Sequence, residues 1–150
     1  MNDKANQPHI RTDISKINDF IYLGTNACCQ IHFKQELLDK GITADISLEK
    51  ENLDKPWGVD YFLWLPTADH TAPSNDQLKV GIDVIKRLVK ENKKVFVHCQ
   101  NGHGRGPTLV IAYFISEGMS FEEAETFVKK SRPEVHLETE QISALKKIQW

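Results

Sequence analysis

A short segment in the second half of the chain, residues 95–108, restricts the fold more than any other part. It reads Val-Phe-Val-His-Cys-Gln-Asn-Gly-His-Gly-Arg-Gly-Pro-Thr. The apolar run at 95–97 predicts a buried strand, and the apolar run at 109–115 predicts a helix that is buried on every side. A glycine-containing loop separates them. The segment therefore predicts a strand, a tight loop and a helix N-terminus in succession, within an α/β domain.

The loop between this strand and helix has the composition of an anion-binding site. Gly102, Gly104 and Gly106 permit backbone conformations in which successive N–H groups converge on one centre. The helix N-terminus adds free N–H groups and partial positive charge, and Arg105 can bind two oxygens of a phosphate. The same groups would stabilise the thiolate of Cys99, which lies at the mouth of the loop. A thiolate beneath a bound phosphoryl group is placed to act as a nucleophile.

The pattern His98-Cys99-x-x-Gly102-x-Gly104-Arg105 resembles the signature of the cysteine-dependent protein tyrosine phosphatase superfamily, in its dual-specificity branch. The resemblance implies a single-domain α/β fold with a central mixed sheet flanked by helices. It also implies that Cys99 forms a cysteinyl-phosphate and that Arg105 binds the phosphate and stabilises the transition state. The expected phosphate-binding residues are Gln100, Asn101, Gly102, His103, Gly104 and Arg105.

The resemblance further implies a general acid on a loop that follows an earlier strand. Asp69, within residues 65–74, is our first candidate. Asp76 is the second, because an acid in the first turn of a helix is also explained by the helix dipole. Asp60 is the third and is expected to be a solvated residue before a strand. His98 is implied to be a buried hydrogen-bonding residue that supports the thiol and the loop, and not a general base.

Other candidate residues carry weaker expectations. The family usually has Ser or Thr after the arginine, where the hydroxyl helps the thiolate leave in the second step, but this chain has Gly106, and Thr108 lies two positions later. We therefore expect slower breakdown of the cysteinyl-phosphate. His103 can contact substrate or face solvent. The remaining cysteines and histidines have no spacing typical of a zinc site; they are Cys28, Cys29, His9, His32, His70 and His136.

Hydrophobic periodicity and turn residues predict the remaining elements. Residues 1–15 are expected to be loose or packed at an edge. Strands are predicted at 20–23, stopped by Gly24, at 42–48, and at 61–65, ended by Pro66. Helices are predicted at 31–40, after a cap at Ser74 or Asn75, after the capping box that begins at Ser120, and near 142–148. Residues 1–150 are predicted to form one domain.

Composition restricts the class of protein. The chain has 150 residues, 40% hydrophobic and 27% charged, which is ordinary for a globular domain. Its net charge of −2 gives no reason to expect nucleic acid as a partner. No apolar run is long enough to span a bilayer, and the N-terminus lacks a signal-peptide core. Three cysteines do not form a disulfide framework, and a thiol nucleophile requires a reducing compartment, so we expect a cytoplasmic location. We also expect a monomer.

These observations favour a metal-independent phosphatase, without a cofactor, that acts on phosphorylated proteins or peptides. Phosphotyrosine is the expected substrate, with phosphoserine and phosphothreonine as further candidates. One alternative is a phosphatase for a phosphoinositide, an RNA 5′-end or a small molecule, which the absence of a loop lysine disfavours. A second is a phosphate-binding module with little turnover, which Gly106 would allow. A third is a sulfur-transfer domain, which the spacing from Cys99 to Arg105 disfavours.

Overall fold

The computed structural model describes residues 13–26 and 33–150. Its sheet has the strand order β1-β2-β5-β3-β4. The strands are β1 (Ile14–Lys16), β2 (Ile21–Thr25), β3 (Ile42–Glu49), β4 (Tyr61–Thr67) and β5 (Lys94–Cys99). β1 pairs with β2 in the antiparallel direction, and the other neighbours are parallel. The predicted mixed sheet is therefore confirmed.

The helices lie on both faces of this sheet. They are α1 (Gln35–Asp39), α2 (Asn75–Lys90), α3 (Arg105–Ser116), α4 (Phe121–Ser131) and α5 (Thr139–Lys147). α3 is buried from Arg105 to Phe114, as its apolar sequence predicts, and it contacts α2, α4 and α5 as well as the sheet. α1 contributes Leu37 to a smaller core on the opposite face. None of the helices within the described ranges has the length and apolar character needed to cross a membrane.

β5 distributes its side chains between the two faces of the sheet. Val95, Val97 and Cys99 belong to the main core beside α3, whereas Phe96 belongs to the smaller core. His98 stacks on Phe96, with ring centroids 5.4 Å apart. Because successive strand residues alternate in direction, Cys99 faces the N-terminus of α3 and His98 is buried on the far side of the sheet.

Side-chain caps fix the starts of two helices around the site. Ser74 accepts a hydrogen bond from the backbone N–H of Gln77, and the Gln77 side chain accepts one from the N–H of Ser74. Ser120 and Glu123 form the same reciprocal pair, as the sequence predicts. The Gln77 amide also donates to the carbonyl of Pro66 at 3.1 Å. The capping box of α2 therefore holds the loop that leaves β4.

Several element boundaries differ from the sequence predictions. Gly24 lies inside β2 and does not stop it. Glycine is required there for close packing, since a β-carbon would lie 2.0 Å from the carbonyl oxygen of Asp13 on the neighbouring segment. Pro66 lies inside β4, which is tolerated because β4 is an edge strand. The helix predicted at 31–40 is shorter, and β1 was missed. Residues 1–12 and 27–32, which include His9, Cys28, Cys29 and His32, lie outside the described residues.

Candidate active site

We call the loop after β5, residues 100–104, the anion loop, and the carbonyls of its residues 101–104 accept hydrogen bonds from elsewhere in the protein. Arg132, which follows α4 and is fully buried, donates from Nε to the carbonyl of Gly102 at 2.8 Å and from Nη2 to that of Asn101 at 3.5 Å. Gly102 has φ +69°, and a β-carbon there would lie 2.4 Å from Arg132 Nη2. Only glycine fits this backbone and this close approach.

The next two peptide groups of the anion loop have the same orientation. The carbonyl of His103 accepts a hydrogen bond from the backbone N–H of His136 at 3.1 Å, and the carbonyl of Gly104 accepts one from the N–H of Thr108 at 2.8 Å. In a trans peptide the N–H points opposite to the C=O. The N–H groups of residues 102–105 therefore point to the side of the loop away from these donors, and successive amides of this kind form an anion site.

Cys99 and Arg105 line one pocket beside these amides, and each is only 2% exposed. Cys99 ends β5 and Arg105 begins α3, so the predicted strand, loop and helix N-terminus bring the two side chains together. Of the other predicted residues, Asp69, Asn101, His103 and Gly104 line the same pocket. Gln100 is exposed and is not among the lining residues. The remaining lining residues are His70, His136, Glu138 and Gln141.

The guanidinium of Arg105 is held from one side. Its Nη1 donates to Glu51 at 2.9 Å and to the carbonyl of Thr67 at 2.8 Å, and its Nη2 donates to the other carboxylate oxygen of Glu51 at 2.6 Å. The hydrogen bond from Arg105 lowers the pKa of Glu51 below its ordinary value. Nε and the second hydrogen of Nη2 are left for a two-pronged contact with phosphate. The buried arginine thus has a counter-charge without a bound anion.

Asp69 is the predicted acid that the structure places at the pocket. It lies two residues after β4, its side chain is half-exposed, and its Oδ1 lies 3.6 Å from Arg105 Nη2. Asp76 lies in the first turn of α2, where the helix dipole explains an acid. Asp60 is exposed immediately before β4, and neither Asp76 nor Asp60 is among the residues that line the pocket.

His98 lies in a buried cluster of acids behind the site. Its Nε2 is 3.0 Å from Asp45 and 3.4 Å from Asp54. Burial lowers the pKa of His98, but the charges of Asp45, Asp54 and Glu49 raise it by more, so the net shift is upward. Burial raises the pKa of Asp54 to about 6. His98 is therefore a buried hydrogen-bonding residue, as the family resemblance implies.

The same cluster is the one place in the described part of the chain that could hold a cation. The ligand atoms of Asp45, Asp54 and His98 lie within 4.8 Å of one another. Because Nε2 of His98 already contacts both carboxylates, a protonated imidazole would itself compensate their charge. We assign no metal to it.

Gly106 leaves the site without the hydroxyl that the family usually has after the arginine. A β-carbon at Gly106 would lie 3.1 Å from Leu23 Cδ1 and 3.6 Å from the backbone nitrogen of Cys99. The hydroxyl of Thr108 donates to the carbonyl of Gly104 at 2.6 Å. Thr108 is thus used within the loop and does not replace the missing group.

Sequence reasoning missed four residues that build the site: Glu51, Arg132, Glu138 and Gln141. Glu51 lies in a polar segment that predicts only a loop, and its partner Arg105 is 54 positions away. Arg132 lies 119 positions from Asp13, to which it is hydrogen-bonded. No local sequence pattern indicated either role, because each contact joins distant parts of the chain.

Comparison with known proteins identifies a family whose members resemble this chain. Residues 21–149 match the family model described as dual specificity phosphatase, catalytic domain. The chain is 29% identical over 122 residues to dual specificity protein phosphatase 5 of Rattus norvegicus; this match covers 78% of the chain and 30% of that protein. It is 32% identical over 101 residues to phosphatidylglycerophosphate phosphatase PTPMT1 of Arabidopsis thaliana; this match covers 66% of the chain and 30% of that protein.

A solved structure supports the fold. The crystal structure of human DUSP28 superposes with a TM-score of 0.81 at 19% identity, covering 89% of this chain and 94% of that one. The chain spans about a third of the length of the two curated relatives above, 30% of each.

Proposed function

The chain belongs to the dual specificity phosphatase catalytic-domain family, and we propose that it is a metal-independent phosphatase acting on phosphorylated proteins or peptides. Phosphotyrosine is the main substrate in this proposal, with phosphoserine and phosphothreonine as additional ones. The observation that carries the proposal is the convergence of Cys99 and Arg105 on one pocket, beside an anion loop in which the carbonyls of residues 101–104 accept hydrogen bonds from elsewhere in the protein.

The reaction follows from this geometry in two steps. The Cys99 thiolate attacks phosphorus, the bond from phosphorus to the ester oxygen breaks, and Asp69 gives its proton to the departing oxygen. Arg105 and the amides of residues 102–105 stabilise the charge on the transferring phosphoryl group. Water then attacks the cysteinyl-phosphate, Asp69 takes a proton from that water, and phosphate and the thiolate are released.

The lining of the pocket supports a protein substrate over a multiply phosphorylated small molecule. Arg105 is the permanently charged cation among the lining residues, whereas Asp69 and Glu138 contribute negative charge. A second phosphate would therefore meet these two carboxylates and three histidines, with no lysine among the lining residues. We also propose a cytoplasmic location, because a buried free thiol at Cys99 must stay reduced to act. The proposed oligomeric state is a monomer.

A second candidate is a phosphatase for a phospholipid headgroup, and the similarity to PTPMT1 of Arabidopsis thaliana favours it. The two candidates predict different substrates for the same pocket. Release of phosphate would be compared for a phosphotyrosine peptide and for phosphatidylglycerophosphate in mixed micelles. A higher kcat/KM for the peptide supports the main proposal, and a higher value for the lipid supports the second.

The chemistry itself is tested with p-nitrophenyl phosphate in the presence of a chelator. We expect turnover by the wild type and none by Cys99→Ser, and, with phenyl phosphate as the substrate, a loss of at least about a hundredfold in Asp69→Asn, because the phenol leaving group needs a proton. Asp76→Asn and Asp60→Asn are matched controls that should retain wild-type rates. Turnover that survives Cys99→Ser removes Cys99 as the nucleophile, and a larger loss in Asp76→Asn than in Asp69→Asn moves the acid to Asp76.

A further inference from the structure

The position of Asp69 depends on its neighbour His70 and on contacts from outside its loop. Asp69 belongs to residues 66–74, which we call the acid loop, between β4 and α2. Its carboxylate is 47% exposed and accepts a hydrogen bond from the backbone N–H of His70 at 2.9 Å. Within the acid loop, the Asp69 carboxylate also lies 3.6 Å from Nε2 of His70.

His70 connects the acid loop to the segment before α5. It has φ +64°, a conformation in which histidine is tolerated but uncommon. This backbone directs its imidazole toward Glu138, with Nδ1 3.0 Å from Oε1. The other ring nitrogen, Nε2, lies 3.6 Å from Oδ2 of Asp69. The imidazole thus lies between the acid and a carboxylate that comes from 68 positions further along the chain.

A buried glutamine anchors the same junction. Gln141 is 1% exposed, and its amide donates to the carbonyl of Thr71 in the acid loop at 3.1 Å. Its Oε1 accepts from the backbone N–H of Glu138 at 2.8 Å. It also packs against Gly104, since a β-carbon there would lie 2.7 Å from Oε1. The acid loop, the anion loop and the start of α5 therefore meet at Gln141.

We propose that His70 and Glu138 are positioning residues that hold the general acid Asp69 over the phosphate pocket. The proposal rests on the proposed function, in which Asp69 protonates the leaving group. Its physical basis is an imidazole that lies between the two carboxylates, on a loop whose backbone is fixed by Gln141. Exposed ion pairs contribute little to overall stability. The contact therefore affects how often Asp69 is in place, and hardly affects whether the chain folds.

Charge at the pocket agrees with this role. The hydrogen bond from Glu138 and the charge of Asp69 raise the pKa of His70 above its ordinary value. As long as both carboxylates are ionised, His70 is charged and pairs with them below that elevated pKa, and this pairing is lost as pH rises through it. The charged or titratable groups that line the pocket with His70 are Asp69, Cys99, His103, Arg105, His136 and Glu138.

The test compares two substrates that differ in their need for an acid. p-Nitrophenol leaves without much assistance, whereas the phenol of phenyl phosphate needs a proton, so misplacing the acid should slow only the second. His70→Asn keeps a residue type that tolerates the left-handed backbone, and Glu138→Gln removes the charge from the other side. We expect kcat/KM for phenyl phosphate to fall about tenfold in each, and that for p-nitrophenyl phosphate by at most about twofold.

Controls separate positioning from a structural effect. Glu91→Gln breaks a comparably exposed ion pair with Arg87, remote from the site, and should leave both substrates unchanged. In an Asp69→Asn background, His70→Asn should cause no further loss, because both changes act through one group. An equal loss on both substrates in His70→Asn, or a selective loss in Asp69→Asn with none in His70→Asn, overturns this proposal and leaves the phosphatase standing. No selective loss in Asp69→Asn overturns both.

Discussion

At the scale of single residues, Gly106 is the position that most affects the expected kinetics. The pocket holds the proposed nucleophile, the guanidinium and the proposed acid, but no hydroxyl follows Arg105, and the hydroxyl of Thr108 already donates to the carbonyl of Gly104. The first chemical step uses none of these hydroxyls. The second step must expel a thiolate from phosphorus, and a nearby donor would stabilise that leaving group. Gly106 should therefore slow the second step alone.

Gly106→Ser tests this expectation. We predict a burst of p-nitrophenol in the wild type, followed by slower steady turnover, and a steady rate about tenfold higher with no burst in Gly106→Ser. The added β-carbon would lie 3.1 Å from the flexible end of Leu23, which can shift by a few tenths of an ångström. Stopped-flow absorbance measures both phases, and an unchanged first-turnover rate is the internal control. A variant with the wild-type burst and steady rate would show that a hydroxyl here is irrelevant.

The residues that sequence analysis could identify are those whose roles are set locally. Cys99 and Arg105 were predicted because strand, loop and helix follow one another without interruption. Glu51 and Arg132 could not be, because each acts on the site across a long stretch of chain that only the folded sheet brings together. The proposed role of His70 was missed for the same reason, since its partner Glu138 belongs to the last loop.

At the scale of elements, the end of α4 stabilises the anion loop. Arg132 is fully buried and donates to two carbonyls of the loop. It also donates from Nη1 and Nη2 to Asp13, directly before β1, and from Nη1 to Ser15 within β1. It thus joins a helix end, an edge strand and the loop that binds phosphate. A buried guanidinium with this many partners orders the loop before substrate arrives, because the outward carbonyls fix the inward amides.

Arg132→Met should leave the anion loop less ordered and the folded chain less stable. We expect the free energy of unfolding to fall by about 3 kcal/mol, because the carbonyl of Gly102 and the carboxylate of Asp13 lose their donors. The KM for p-nitrophenyl phosphate should rise with it. Urea unfolding followed by steady-state kinetics measures both effects. Arg87→Met, which removes an exposed i,i+4 pair, is the matched control and should change stability by at most about 0.5 kcal/mol. Equal stability of the two variants would refute the role of Arg132.

Helices and strands were predictable to different degrees. The starts of α2 and α4 followed from local capping residues, and α3 followed from its uninterrupted apolar sequence. β1 is three residues long and forms only because β2 offers it an edge. The extension of β4 past Pro66 also depends on its place at the edge of the sheet, which no local pattern reveals.

At the scale of the whole molecule, the buried acids make stability depend on pH. Asp54 has an ordinary pKa of 3.8 and a folded-state pKa of about 6. The folded chain therefore keeps a proton that the unfolded chain releases between these values. Linkage then requires that the stabilisation from this group is present at low pH and is lost as pH rises from about 4 to about 6. The raised pKa of His98 acts in the same direction at higher pH.

Asp54→Asn removes this contribution and should flatten the dependence. We expect the free energy of unfolding of the wild type, relative to Asp54→Asn, to decrease steadily between about pH 4 and about pH 6. Urea unfolding at several pH values in this range measures the difference, and any constant offset between the proteins does not affect its slope. Asp60→Asn, an exposed acid, should run parallel to the wild type. Parallel curves for Asp54→Asn would contradict the assignment.

The most direct test of the whole account is to trap the phosphorylated enzyme. The wild type is mixed with a ³²P-labelled phosphotyrosine peptide, quenched in acid within the first turnover, digested, and sequenced by mass spectrometry. The account predicts about one phosphoryl group per chain, on the sulfur of Cys99, and none in Cys99→Ser. Label on any other residue, or turnover with no covalent intermediate, would contradict the claim that the thiolate of Cys99 receives the phosphoryl group.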